Sequence, residues 1–400
     1  MKERTVLLVA NNYPPANVPG ATRAARLVRH LPALGWRPIV ITTTSADGSG
    51  SDDSEDGVIR VRRIDTREHL AIAGRYPAFL AFPDRWVASL PGAVRRGLGL
   101  LRRQRIDAVC STSPPVTPHL VARALRLRTT APWVLELRDP WNLAAPFGPV
   151  LRALDRRLAR RLLGAADRVV VTTDLLADEL RAVIGPQRVR VVPNGFDERD
   201  FAGPAPTPDG RFTLLHAGHV GAGYRDPVEL LRAVRLCRDA GLLPADVRVR
   251  LLGVPEDTAA GLCAAASGLG LGDAVETAPR VSTREAIAAM RVASLLVVLQ
   301  EKATFAHSVP SKVWEYLRSG RAVVAIAPPG GATHAALCGV PGVRLAPENR
   351  AATIAPLLAE AYAAWRARPE HTFVRDLEAW RAESIAARFA AVLDEVAHDA

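Results

Sequence analysis

The stretch that most constrains the fold is a strand, loop, helix and second strand between residues 295 and 327. The apolar run 295–299 (LLVVL) has the length and composition of a buried strand, and residues 322–327 (AVVAIA) have the same character. Such a βαβ unit belongs to a parallel sheet, and ligands of these sheets bind at the carboxyl ends of the strands. The segment therefore predicts an α/β fold with a ligand site in the loop after residue 299.

Lysine is concentrated in this loop and at the start of the helix that follows it. Pro310 restricts the backbone before the helix, and Ser311 is placed to cap it. Only three of the 52 lysines and arginines are lysine, and two of those three, Lys302 and Lys312, lie in the loop and the helix start. A lysine ammonium is a compact charge that suits a phosphate. Ser311, Lys312 and the free N–H groups of the first turn thus predict an anion site.

Length and cysteine usage indicate the broad class. A chain of 400 residues, of which 48% are apolar, predicts a globular protein with two domains. Its four cysteines are scattered in apolar surroundings without a CxxC pair, which favours buried, reduced thiols in a cytoplasmic protein over zinc or disulfides. We expect neither a signal peptide nor a membrane span, because no apolar run is long enough.

The net charge of +11 suggests anionic partners, for which three classes compete. A nucleotide or phosphate substrate needs only local charge. Nucleic acid would need aromatic or groove-reading elements on a basic face, and aromatic residues make up only 5% of the chain, so we expect no nucleic-acid partner. Residues 152–168 (RALDRRLARRLLGAADR) suit peripheral contact with an anionic membrane, although a solvated helix face has the same composition.

The first half of the chain begins with the same strand–loop–helix order. Residues 5–10 (TVLLVA) predict a strand, followed by a proline-rich loop and a helix over about 21–34. Gly20 would let the backbone approach a ligand closely, and Arg23 lies in the first helical turn, where a ligand phosphate or an acceptor could reach it. The loop lacks the GxGxxG order of dinucleotide-binding folds.

Charged residues follow a later strand of this half, 133–137 (WVLEL). Arg138 and Asp139 stand at its carboxyl end and are candidate site residues, while an ion pair that holds the loop explains Arg138 equally well. Asp52 and Asp53 lie in a Gly/Ser/Asp loop and could be read as metal ligands. Acidic turns of this kind are usually only solvated, so we expect no metal site.

A Pro/Gly-rich segment at 203–210 (GPAPTPDG) has the composition of a linker, and the strand–helix array begins again after it. The loop after the next strand contains His219 and Arg225, which could face a phosphate. The layout predicts two Rossmann-like, doubly wound α/β domains that face each other across a cleft. They comprise residues 1–200 and 201–375, and a helix from about 373 returns so that 376–400 pack on the first domain.

Nearly the whole chain resembles the family-four retaining glycosyltransferases of the GT-B fold. The most specific likeness is VPSKVWEYLRSGRAVVAI, and four shorter motifs occur in the family's order: YPP with GATR, SPP, RDPW and VVPNGFDERDF. The resemblance implies transfer of a sugar from a nucleotide diphosphate sugar, bound by the second domain, to a hydroxyl or amine of an acceptor bound by the first. The acceptor would be a glycan, a lipid-linked glycan or a secondary metabolite. The resemblance implies no cofactor besides this donor and no metal ion.

The resemblance also implies roles for single residues. Glu315 would accept hydrogen bonds from the ribose hydroxyls, unless it is a surface glutamate paired with Arg318. The other donor-binding residues would be Gly20, His219, Arg225, Pro279, Arg280, Val309, Ser311 and Lys312. Arg23 and Arg138 would contact the acceptor, and catalytic roles would belong to Asp139, His307, Arg225 and Lys312.

Two departures from the family pattern keep alternatives open. Many members have two glutamates eight residues apart, and the position of the first is taken here by His307. Many also have a histidine where this chain has Arg138 and Asp139, which makes Asp139 the candidate for orienting the sugar or acceptor. One alternative is a nucleotide-sugar epimerase of the same fold. Another is a non-catalytic protein that binds nucleotide sugars or polysaccharide.

Overall fold

The structure, a computed structural model, describes residues 3–44, 57–69, 78–141, 147–204, 206–221, 225–300 and 305–398. The chain divides into two compact units, Met1–Pro193 with Ala382–Ala400, and Asn194–Arg381. The division lies before the predicted boundary at 200 because the residues after Pro193 bond within the second unit. The Asn194 side chain donates to the Val309 carbonyl, and the Phe196 N–H donates to the Trp380 carbonyl. Asp52, Asp53 and Lys302 lie outside the described residues.

The described part of the first unit contains one parallel sheet with the strand order β3-β2-β1-β4-β5-β6-β7. Its strands are β1 (Arg4–Ala10), β2 (Trp36–Thr43), β3 (Val58–Val61), β4 (Ala108–Ser113), β5 (Trp133–Leu137), β6 (Arg168–Val171) and β7 (Val189–Val191). Its helices are α1 (Pro19–His30), α2 (Thr66–His69), α3 (Leu90–Arg103), α4 (Thr117–Arg126), α5 (Pro149–Ala165) and α6 (Asp174–Ile184), with the last helix of the chain described below.

The described part of the second unit contains another parallel sheet, in the order β10-β9-β8-β11-β12-β13. Its strands are β8 (Thr213–Ala217), β9 (Arg248–Leu252), β10 (Val275–Ala278), β11 (Leu295–Leu299), β12 (Ala322–Ile326) and β13 (Val343–Ala346). Its helices are α7 (Val228–Asp239), α8 (Glu256–Gly268), α9 (Thr283–Val292), α10 (Lys312–Arg318), α11 (Ala332–Leu337) and α12 (Ala351–Ala367). The predicted α/β class with two parallel sheets is confirmed.

The last helix, α13 (Ala382–His398), packs on the first unit, as the fold class predicted. Ile385, Phe389 and Leu393 are buried in one of the two apolar clusters of that unit, and each such side chain contributes about 1.5–3 kcal/mol on burial. The predicted helix start near 373 is wrong. The Phe373 N–H bonds to the Gly320 carbonyl, and the Arg375 guanidinium bonds to three carbonyls of the second unit, so this segment is not helical.

Each sheet has one point at which the strand order reverses, and ligand crevices of such sheets form there. In the first unit the reversal lies between β1 and β4, and in the second between β8 and β11. The central strands are near-continuous apolar runs because helices cover both faces of a parallel sheet. Polar residues that follow these strands therefore gather at one edge of each sheet.

Two further findings concern the cysteines and the apolar character of the helices. All four cysteines are free, but only Cys110 and Cys237 are buried, so the expectation of four buried thiols is wrong for Cys263 and Cys338. Cys263 lies on the exposed side of α8 and Cys338 directly follows α11, so neither belongs to a central strand. Among the helices in the described part of the chain, none has the length and apolar character needed to cross a bilayer.

Candidate functional site

In the second unit, Lys312 lies against the backbone that follows β8. A Cβ added to Gly218 would lie 2.7 Å from the Lys312 Nζ, and the Gly218 φ of +145° is one that residues with a side chain rarely adopt. Only 8% of Lys312 is exposed. Burial and the positive charge of Arg225 hold the pKa of Lys312 well below its ordinary value, while Glu315 acts in the opposite direction. Glycine at 218 thus makes room for a buried cation at the reversal point of this sheet.

His216, within β8, accepts a hydrogen bond from this lysine. Its Nδ1 lies 2.9 Å from the Val297 carbonyl and must carry the proton, which leaves Nε2, 2.8 Å from the Lys312 Nζ, as the acceptor. Burial and the charges of Lys312 and Arg225 lower the pKa of His216 well below its ordinary value, so the imidazole is neutral. Our sequence reasoning missed His216, although a histidine inside the apolar run FTLLHA was a signal.

Tyr316 fixes the start of α10 to the same strand. Its hydroxyl accepts a hydrogen bond from the Ala217 N–H at 2.7 Å, and burial raises the pKa of the phenol. Ser311 does not cap the helix, since its backbone is already helical and its side chain makes no capping bond. The predicted Ser311 cap is therefore wrong, and the Tyr316 side chain holds the helix against β8 instead.

Four of the predicted donor-binding residues form one positive group. Burial is the largest cause that lowers the pKa of His219, a largely exposed side chain. The charges of Arg225, Arg280 and Lys312 lower this pKa further. The Arg225 Nη2 lies 3.5 Å from the Gln300 Oε1, at the end of β11. Pro279 adjoins this group, because its carbonyl accepts from the Gly253 N–H and a Cβ at Gly253 would touch Gly218. Such a group of donors around a glycine is suited to a diphosphate.

The loop before α10 is held by several hydrogen bonds. Gln300 Nε2 donates to the Phe305 carbonyl at 3.1 Å, and the Thr333 hydroxyl donates to the Ser308 carbonyl at 2.9 Å. His307 and the buried Val309 lie within this anchored loop. Glu315 is half-buried one helical turn after Lys312, whereas Arg318 forms a bidentate pair with Glu198.

The backbone of Arg225 itself is strained, with a φ of +53° that costs a residue with a side chain about 1–2 kcal/mol. We expect Arg225→Gly to be more stable than Arg225→Ala by about 1 kcal/mol, measured by urea unfolding. The matched control is Arg235 in α7, where alanine is expected to be the more stable replacement by about 1 kcal/mol. The same order of stabilities at both positions would contradict the assignment of strain to Arg225.

In the first unit, Arg138 and Gly20 lie together at the reversal point of the sheet. A Cβ at Gly20 would lie 2.1 Å from the Arg138 Nη1, so only glycine leaves room for the guanidinium. Arg138 donates from Nε to the Ser113 carbonyl at 3.0 Å and from Nη2 to the Pro114 carbonyl at 2.7 Å. Burial lowers the pKa of Arg138, and the charges of Glu136 and of the adjacent Asp139 partly offset this shift. The predicted residues Gly20, Arg138 and Asp139 thus form one group.

A buried aromatic contact supports the turn that carries this group. Trp141 stacks on His119 with a centroid distance of 5.9 Å, and the Trp141 Nε1 donates to Asp155 in α5. Burial and the charge of Arg138 lower the pKa of His119 to about 3, so this histidine is neutral. Trp141 therefore ties the turn after β5 to α4 and α5.

Arg23 has a different role from the predicted acceptor contact. It is buried, and its Nε and Nη2 donate to the Glu136 Oε1 at 3.0 and 2.8 Å. Its Nη1 donates to the Pro193 carbonyl at 2.6 Å and its Nη2 to the Val192 carbonyl at 2.9 Å. These bonds join α1, β5 and the end of the first unit, so we correct the prediction and assign Arg23 to the framework.

Residues 20–195 match the family model described as a glycosyl transferase 4-like domain. These residues form a glycosyl transferase 4-like domain. The resemblance of the sequence to family-four glycosyltransferases is thereby confirmed. No curated protein sequence matches the chain.

Solved structures similar to this chain cover nearly its full length. An α,α-trehalose 6-phosphate synthase from Burkholderia multivorans aligns over 100% of both chains with a TM-score of 0.69 and 16% identity. HepE from Anabaena in complex with UDP and glucose aligns over 99% of this chain and 98% of its own, with a TM-score of 0.62 and 15% identity. A proposed UDP-N-acetylglucosamine 2-epimerase from Listeria monocytogenes aligns over 100% and 98%, with a TM-score of 0.63 and 13% identity. The fold of the chain is therefore GT-B.

Proposed function

We propose that the chain is a retaining glycosyltransferase that moves a sugar from a nucleotide diphosphate sugar to a hydroxyl or amine of an acceptor, without a metal ion. The observation that carries the proposal is the positive group at the end of β8, in which Lys312 is buried beside Gly218 and Arg225, His219 and Arg280 surround it. Cations grouped around a glycine backbone suit a diphosphate, and the similar HepE structure holds UDP.

The proposed reaction is a substitution on the front face of the sugar. The bond from the anomeric carbon to the diphosphate oxygen breaks, and the acceptor oxygen or nitrogen forms its bond on the same face. The acceptor proton passes to the departing diphosphate oxygen. Arg225 and Lys312 stabilise the negative charge that develops on this oxygen, and the burial of Lys312 strengthens the interaction because water screens it little. These cations take the place of a metal ion.

We assign the remaining donor contacts to residues of the second unit. Glu315 accepts from the ribose hydroxyls, Pro279 and Arg280 adjoin the base, and Val309, Ser311 and His307 border the phosphates and sugar. In the first unit, Asp139 orients the transferred sugar or the acceptor, and Arg138, held over Gly20, contacts the acceptor. We place this chemistry in the cytoplasm, where two exposed free thiols remain reduced.

The function is tested with a panel of UDP-, GDP- and TDP-sugars in the presence of EDTA. Acceptor probes are p-nitrophenyl glycosides, amino sugars and polyprenyl phosphate. We expect a new glycoside with the anomeric configuration of the donor, identified by NMR coupling constants, and no loss of rate with EDTA. Inversion at the anomeric carbon would refute the retaining mechanism, and complete loss of activity with EDTA would refute charge replacement by Arg225 and Lys312.

An epimerase is the second candidate, because His307 stands where the family commonly has a glutamate and a proposed epimerase has the same fold. An epimerase would convert UDP-sugars to their isomers when no acceptor is present. A protein that only binds nucleotide sugars would show a thermal shift with the donor but no turnover with any acceptor.

The contact between Gly20 and Arg138 gives a prediction for turnover. In Gly20→Ala the new Cβ displaces the guanidinium, and we expect glycoside formation to fall by about 10- to 100-fold. Stability should change by less than about 1 kcal/mol, because the contact is with the far end of a flexible side chain. Gly99→Ala in α3, where a Cβ meets nothing within 4 Å, is the matched control. Equal activity of the two variants would contradict the positioning of Arg138.

A further inference from the structure

The outer face of α5 exposes aliphatic side chains in line with arginines. Asp155, Leu162 and Leu163 are buried and define the inner side of the helix. Val150, Leu154, Arg157 and Arg161 lie at i, i+4, i+7 and i+11, so they share one stripe on the opposite side. Val150 is 74% exposed and Leu154 is 48% exposed. We call these four residues the α5 outer face.

The charge on this helix is not balanced by neighbouring carboxylates. Its five arginines, at 152, 156, 157, 160 and 161, are all exposed, and none forms a salt bridge to a described residue. The helix has one acidic residue, Asp155, which is buried against Trp141. Some exposed arginines elsewhere on the first unit are paired, for example Arg168 and Arg190 with Glu395 and Arg181 with Asp178. The surface therefore presents an uncompensated positive charge.

A second exposed apolar segment adjoins the start of this helix. The ring of Phe82 contacts the ring of Phe147 with a centroid distance of 5.5 Å, which joins the 3₁₀ turn Ala78–Ala81 to the residues just before α5. Phe79 in this turn is 67% exposed, and Leu80 is also exposed. Phe79, Leu80, Val150 and Leu154 are four of the exposed large apolar side chains of the described chain, and the contact between Phe82 and Phe147 connects the two segments that carry them.

We propose that the α5 outer face, together with Phe79 and Leu80, docks the first unit on an anionic lipid bilayer, with α5 lying in the headgroup plane. The arginines match the negative surface of the bilayer, and the aliphatic and aromatic side chains enter the boundary of the acyl region. A soluble polyanion such as nucleic acid would satisfy the charge but would leave the four apolar side chains exposed to water. The combination of both features on one surface favours lipid.

Docking at this surface has a consequence for the acceptor, and this step alone rests on the proposed function. Helix α5 follows β5, and Trp141 at the end of that strand is bonded to Asp155 in α5. The edge of the sheet that carries Arg138 and Asp139 is therefore tied to the docking helix. This arrangement favours an acceptor whose reactive hydroxyl is held at the membrane surface by a lipid.

The docking is tested by flotation of the full chain with vesicles of phosphatidylcholine alone and of phosphatidylcholine mixed with phosphatidylglycerol. We expect the chain to bind the anionic vesicles and to be released by about 0.5 M NaCl. Because each arginine near such a surface contributes about fivefold, Arg157→Gln with Arg161→Gln should weaken binding about 30-fold. Val150→Ser with Leu154→Ser should weaken it by roughly tenfold or more, since two aliphatic side chains no longer enter the lipid.

The matched control is Arg366→Gln with Arg368→Gln, which removes the same charge from an exposed surface of the second unit. This pair should bind vesicles as the wild type does. No binding to anionic vesicles, or an equal loss in the control pair, overturns the proposal. The proposal is also overturned if Val150→Ser with Leu154→Ser binds the vesicles as the wild type does and both proteins are retained equally on heparin. That result would indicate a soluble polyanion as the partner. None of these readouts depends on transferase activity.

Discussion

Replacing Arg23 with methionine is expected to lower the free energy of unfolding of the first unit by about 3–5 kcal/mol. Arg23 and Glu136 are both buried, and two donors of the guanidinium contact the same carboxylate oxygen. Methionine fills a similar volume but leaves the carboxylate in the interior without its nearest cation. It also leaves the carbonyls of Val192 and Pro193 without their donors. A large loss is therefore expected although only one side chain changes.

The loss should depend on pH with a definite sign. Burial alone would raise the pKa of Glu136, but the charge and hydrogen bonds of Arg23 lower it below its ordinary value. The pair therefore stabilises the wild type fully above the ordinary carboxyl pKa, and this stabilisation is lost as the pH falls through the lower folded pKa. In Arg23→Met, burial raises the pKa of Glu136 instead. The difference between the two proteins should be largest near neutral pH and should shrink in acid.

Urea unfolding measures this effect on stability. Hydrogen exchange of peptides from β4 and β5 reports the stability of the first unit separately from that of the second. The control is Arg181→Met, which breaks an exposed pair with Asp178 and should cost less than about 0.5 kcal/mol. Arg23→Met combined with Glu136→Leu should be more stable than Arg23→Met alone, because the double variant has no unpaired buried charge. If Arg23→Met is as stable as Arg181→Met, the framework role of Arg23 is wrong.

The architecture could be predicted from the sequence because its signals are local. Runs such as LLVVL and TVLLVA are typical of the central strands of a parallel sheet, whose faces are both covered by helices, and glycines and prolines mark the loops between them. Lys312 could be singled out for the same kind of reason, since lysine is rare in this chain. The start of α13 could not be predicted, because hydrogen bonds from Phe373 and Arg375 to distant carbonyls hold the preceding segment in a non-helical conformation.

The part of the candidate site that escaped prediction consists of contacts between residues far apart in the chain. Lys312 and His216 are separated by 96 positions, and Arg23 and Glu136 by 113. In the sequence, His216 and Glu136 look like polar residues tolerated within apolar strands. Only the fold shows that each satisfies one particular cation. A polar residue at the centre of a buried strand is thus a signal that a partner must exist, but it does not name that partner.

The second large effect is expected from Lys312→Met. A charge-assisted hydrogen bond is worth about 1.5–3 kcal/mol, so the affinity for a diphosphate should fall by about 10- to 100-fold. The probes are UDP, GDP and TDP, with inorganic pyrophosphate as a ligand that has no base, and calorimetry measures the affinity. Arg250→Met, which removes an exposed cation from β9 in the same unit, is the matched control and should bind these ligands normally. Unchanged pyrophosphate affinity in Lys312→Met would remove this residue from the proposed site.

His216 determines how this affinity responds to pH. Pyrophosphate requires the charged form of Lys312, whose pKa lies well below its ordinary value, so wild-type affinity should fall as the pH rises through that lowered pKa. His216→Leu removes the acceptor at 2.8 Å from the ammonium, which should lower the pKa further and shift the fall to lower pH. His216→Gln keeps an acceptor oxygen and should remain near the wild type. Lys312→Met should lack this pH response altogether. The variant therefore distinguishes the titration of Lys312 from the titration of pyrophosphate itself. Identical pH profiles for His216→Leu and the wild type would show that the histidine does not act through the lysine.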